Sequence, residues 1–152
     1  MLTTYEKKPS IFLLHRLFII LFIPVISLSA CKVQLVPAYN AELEEQIVKT
    51  AKMSDMLYLE MMDAASDKKS YSLYADKYLD IESEINSILL KNEVRSNAAD
   101  NIATVQKLKD YFVKAKEDHK TRTTMSNAEM LLYNEQLKAF WKPVLIAERA
   151  LK

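Results

Sequence analysis

The chain has 152 residues, half of them apolar and 27% charged, with a formal net charge of +1 and no glycine. That length and balance describe one domain with a real core, neither a disordered nor a collagen-like chain. Without a residue at ease at positive φ, tight hairpins and phosphate-cradling loops are hard to build, which disfavours β-rich folds, dinucleotide-binding units and P-loops.

Lys7, Lys8 and Arg16 give the N-terminal segment a positive charge, and the apolar run Leu17 to Leu28, "LFIILFIPVISL", follows. The run falls short of the roughly twenty residues of a membrane span, and Pro24 interrupts it. A charged head, a short apolar stretch and then small residues are the pattern of a secretory signal peptide over residues 1–30. Its last positions, Leu28-Ser29-Ala30-Cys31, contain the chain's single cysteine. They resemble, position by position, the lipobox of bacterial lipoproteins. The resemblance implies signal-peptidase recognition through Leu28, Ser29 and Ala30. It also implies a diacylglycerol on the Cys31 sulfur, cleavage before Cys31, and a fatty acyl group such as palmitate on the new amino group. Lys32 is not the aspartate that retains enterobacterial lipoproteins at the inner membrane, so the resemblance favours the outer membrane, facing periplasm or surface. Two or three acyl chains make a stable anchor where one does not.

Residues 31–39, with Pro37, read as a lipidated N-terminus and an extended tether. Removing residues 1–30 takes away three basic side chains and Glu6, which leaves 18 basic and 19 acidic residues, net −1. Nucleic-acid binding has no electrostatic support in such a chain.

Residues 40–152 carry four stripes at helical spacing. The first helix is expected over about 41–65, behind an Asn40 N-cap, with Leu43, Ile47, Ala51, Leu57, Tyr58, Met61 and Ala65 on one face. The second, over about 71–92, carries Tyr71, Tyr74, Tyr78, Ile81, Ile85 and Leu89. "RSN" marks a turn, and the third helix follows over about 98–120 with Ile102, Val105, Leu108, Phe112 and Val113. Ser126 and Glu129 form a capping box for the fourth, which carries Met130, Tyr133, Leu137, Phe140, Trp141, Val144 and Leu145. Pro143 predicts a kink near its last turns. Matched lengths and short links predict an all-α, up-down-up-down four-helix bundle. The stretch "EINSILLKNEVRSNAADNIATVQKLKDYF" resembles segments of small helical lipoproteins, and that likeness implies no activity.

Catalytic chemistry has little to work with. Only two histidines exist. His15 leaves with the signal, and His119 reads as a surface or capping residue near a helix C-terminus, where a positive charge suits the dipole. No paired cysteines, haem motif, di-iron histidine pair or nucleophile elbow is present. We expect no catalytic residues, no metal and no cofactor beyond the acyl groups on Cys31. Met53 and Met56 lie off the main stripe of the first helix, with Leu59 close by. They suit burial under a neighbouring helix, an apolar strip against a partner, or Cu(I). The polar anomaly is a layer. Ser54, Glu82 and Lys109 interrupt the apolar stripes and Asn134 lies beside one, all near one height. The layer predicts a buried Glu82–Lys109 pair that fixes register or lines a polar pocket. The expected function is a membrane-anchored, non-enzymatic protein that binds another envelope protein, in an assembly, escort, exclusion or immunity role. The alternative is a periplasmic small-ligand or metal-binding bundle.

Overall fold

The computed structural model describes residues 35–122 and 124–152. The lipobox residues Leu28, Ser29, Ala30 and Cys31 therefore lie outside the described residues. Four helices follow one another: α1 Ala41–Asp63, α2 Ala75–Glu93, α3 Ala99–Arg122 and α4 Asn127–Arg149. Two 3₁₀ turns, Ser66–Lys68 and Tyr71–Leu73, fill the link between α1 and α2. No helix among the described residues is long and apolar enough to cross a membrane.

Local chemistry accounts for the helix ends. The Asn40 side chain accepts from the Leu43 amide at 3.1 Å, satisfying one of the orphan donors of the first turn of α1. Ser126 and Glu129 close the predicted capping box of α4. The turn between α2 and α3 needs a left-handed residue, and in a chain without glycine Asn97 takes it at φ 60°. Tyr71 falls in a 3₁₀ turn rather than in α2, so the second helix starts later than its stripe suggests. Pro143 does not end α4, which runs on to Arg149. The proline lies exposed on the outer face, as does Ala139, whose carbonyl loses its helical donor and can turn to water.

The connectivity is antiparallel throughout. Glu60 near the end of α1 pairs with Lys77 near the start of α2, and Lys91 near the end of α2 pairs with Glu42 near the start of α1. Arg122 at the end of α3 meets Glu129 at the start of α4, and Arg149 at the end of α4 meets Glu44 of α1. Each helix packs on two neighbours, α1 most extensively on α4. The result is an all-α helical bundle with up-down-up-down topology. We call the end bearing Asn40, the α2–α3 turn and the C-terminus the base, and the opposite end the crown. At the crown an isolated bridge joins Ser70 to Thr124 and ties the two loops together.

The core runs the length of the bundle. It includes Leu43, Ile47, Leu57, Tyr58, Met61, Tyr78, Ile81, Ile85, Ile88, Leu108, Phe112, Met130 and Leu137, nearly all without solvent exposure. Each such side chain contributes about 1.5–3 kcal/mol through the water it leaves.

Candidate functional site

The four residues of the expected polar layer do not converge. Ser54 on α1 and Asn134 on α4 are both 1% exposed and lie at one level across the α1–α4 contact. The Asn134 amide donates to Asp55 Oδ1 at 2.8 Å. Its Oδ1 and the Ser54 hydroxyl have no hydrogen-bond partner among the described residues. Glu82 and Lys109, by contrast, are half-buried on the flanks, and no Glu82–Lys109 ion pair is present among the described residues. Glu82 instead accepts from Lys116 Nζ at 2.6 Å. The hydrogen bond to Glu82 raises the Lys116 pKa above its ordinary value. Lys109 and Lys116 stand seven residues apart and share a face of α3, about 10 Å from one another along the axis. Spacing alone could not say which of them reaches the carboxylate.

The expected surface histidine is also corrected. His119 is 0% exposed, at the crown against the rings of Tyr71 and Tyr78, the latter packed in turn on Phe112. Nε2 lies 3.0 Å from the Lys69 carbonyl and Nδ1 lies 3.1 Å from the Tyr78 hydroxyl. A carbonyl only accepts, so Nε2 carries the proton and Nδ1 accepts from Tyr78. The neutral imidazole satisfies both bonds, and burial holds its pKa below the usual value, partly offset by the Lys69 carbonyl. Burial likewise pushes the Tyr78 and Tyr58 hydroxyls up, the latter without a hydrogen bond of good geometry. A signal was present: Val105, Leu108, Phe112, Ala115 and His119 recur at alternating intervals of three and four, and all five are buried. With one nitrogen on the backbone and no path to solvent, His119 ties the α1–α2 link to α3. Lys69 extends the tie, since its ammonium donates to the Met62 carbonyl at 3.3 Å and to Asn127 Oδ1.

At the base lies a group that reading the sequence missed. Glu148 of α4 is 1% exposed. Arg95, in the α2–α3 turn, donates to both its oxygens, at 2.7 and 3.2 Å, and to Asn92 Oδ1 at 3.1 Å. The same guanidinium donates to the Ala38 carbonyl, and the Asn40 amide donates to Glu148 Oε1 at 2.8 Å. Pro37 is buried, and Tyr39 donates to Glu44 at 2.7 Å. The expected tether is therefore clamped to the bundle from Pro37 onward. Only the "RSN" turn was visible in the sequence, because Arg95 and Glu148 are far apart along the chain.

Of the residues expected under a neighbouring helix or in an apolar strip, Met53 is partly buried against the core and Met56 is about half exposed. With Leu57 and Ile81 they floor a groove of about 200 Å³ between α1 and α2, rimmed by Glu60, Lys77 and Asp80. Met56 and Leu59 are each about half exposed. Among the described residues no group of three or more histidine, cysteine or acidic side chains is placed to hold a metal ion. No protein-family model matches the chain, and no curated protein or solved structure is significantly similar to it.

Proposed function

We propose that the chain is a lipid-anchored protein of the bacterial envelope, without catalytic activity, that binds another envelope protein through the groove between α1 and α2. The lipobox at Leu28 to Cys31 supports the anchor. The thioether groove carries the binding reading. Met53 and Met56 leave flexible, polarizable apolar surface open between two helices, and such surface adapts to a partner's side chains. The test places a photo-crosslinking residue at Met56 in intact cells. A discrete adduct is expected that disappears with Cys31→Ser and does not form from the exposed Lys107 on α3. Equal labelling from both positions, or none at Met56, overturns the reading.

A second reading, a small polar ligand held inside the bundle, draws on the unpartnered Ser54 hydroxyl and Asn134 carbonyl. Buried polar atoms without partners are costly and invite one. Such a ligand would travel with the purified chain in native mass spectrometry and be lost with Asn134→Leu. An unliganded mass for the parent chain removes this reading.

A further inference from the structure

The two most exposed large apolar side chains of the described chain, Leu35 at 81% and Val94 at 78%, both lie at the base. Val94 is at the tip of the α2–α3 turn, with Leu90 exposed one turn earlier on α2. Leu35 and the exposed Val36 directly precede the clamped Pro37. The clamp also sets a distance. Pro37 lies six positions after Cys31, and a fully extended chain over that interval reaches at most about 22 Å. If Cys31 carries the lipid, the base and not the crown is held beside the bilayer.

We propose that the base of the bundle is a lipid-contacting surface, in which Leu35, Val36, Leu90 and Val94 enter the bilayer interface beside the acyl anchor. The inference rests on the lipid anchor of the proposed function and is independent of the groove. The partner is the apolar boundary of the membrane rather than its charge, because among the described residues the cations at the base are paired with carboxylates of the bundle. Lys91 pairs with Glu42, Arg95 with Glu148, and Arg149 and Lys152 with Glu44. A surface of this kind inserts side chains and is little affected by anionic lipid or salt. Seating the base would hold the bundle upright, with the crown pointing away from the membrane and the groove opening on the bundle's side.

The test uses the full-length chain, processed in cells, purified and reconstituted in phosphatidylcholine vesicles carrying a nitroxide on the lipid acyl chain. Once Cys31 is acylated, a cysteine introduced by Val94→Cys or Leu132→Cys takes a fluorophore at the base or near the crown. Both parent side chains are exposed, so neither label disturbs the core. Quenching severalfold stronger at position 94 than at 132 is expected, unchanged when phosphatidylglycerol is added. The decisive variant adds Val94→Glu to a label at Leu90→Cys. Seating by apolar contact predicts that quenching at 90 then falls severalfold. Proximity through the tether alone predicts no change, and that result overturns the proposal. Fatty-acid labelling of Cys31 separates the two readings. Label present with no effect of Val94→Glu removes only the seated base, whereas absence of label removes the anchor and the surface together. Self-association of the labelled chain through the base, detected as quenching between copies without lipid nitroxide, also overturns it.

Discussion

At the scale of single residues, the most consequential group is Glu148. It takes Arg95 in a two-pronged contact and the Asn40 amide besides, almost wholly out of water. Breaking a buried pair from one side costs about 3–5 kcal/mol, because the remaining charge is stranded. Arg95→Met should lower the urea midpoint accordingly. Arg95→Met with Glu148→Leu should recover much of the loss but not all, since the Asn40 amide still lacks its acceptor. Full additivity of the two changes would show that the pair is solvated. His119 supplies a second test at this scale. Its pKa is lowered on folding, so above about 6.5 both states are neutral and its contribution is complete. As pH falls below about 6.5 the unfolded chain binds the proton first, and stability falls until the folded imidazole titrates too. Burial of the folded imidazole opposes that second event, and its bond to the Lys69 carbonyl offsets part of the opposition. Urea unfolding at pH 7 and pH 5.5 should show this loss, and His119→Gln should flatten the slope across that window. Glu44, drawn down to about 2 chiefly by its hydrogen bond to Tyr39 and those to Lys152 and Arg149, acts in a separate window. Its share is present above about 4.5 and lost as pH falls toward 2.

At the scale of elements, helix ends and helix pairs carry separable energies. Ser126→Ala removes the acceptor for the Glu129 amide and the hydroxyl that donates to the Glu129 carboxylate, and should cost about 1 kcal/mol. The pairing of α2 with α3 is tested by two mutant cycles. Glu82 with Lys116 should couple by about 1 kcal/mol or less, as befits a pair with a fifth of each side chain still exposed. Glu82 with Lys109 should show no coupling; the reverse order would mean that α3 sits two turns from its described register. Caps and stripes were legible because each depends on residues within a turn or two of one another. The choice between Lys109 and Lys116 was not, since both meet the helical spacing and only the axial offset of two helices separates them.

At the scale of the whole molecule, one continuous core and two tied ends imply cooperative unfolding. The chain from Leu35 onward should give a strongly helical circular dichroism spectrum and a single transition. Phe112→Ala, in the buried middle of that core, should cost about 3–5 kcal/mol and shift the whole transition rather than split it. A separate early phase would mark the crown or base as an independent unit. Processing is checked with Cys31→Ser, which should leave an unlabelled precursor.

Glycine absence, stripe spacing, Asn40 and the Ser126–Glu129 box were enough to determine an all-α chain of four helices and two of its helix starts, because helix formation is governed by contacts a few residues apart. Met53 and Met56 were likewise legible as a strip off the main stripe. Only the tertiary structure decided that His119 is buried against Tyr78 and the Lys69 carbonyl, that Glu82 takes Lys116, and that Arg95 and Glu148 clamp the chain's entry. Each of these joins residues 34 or more positions apart, and whether such groups meet depends on the axial register of packed helices, a quantity the local periodicity of the sequence does not contain.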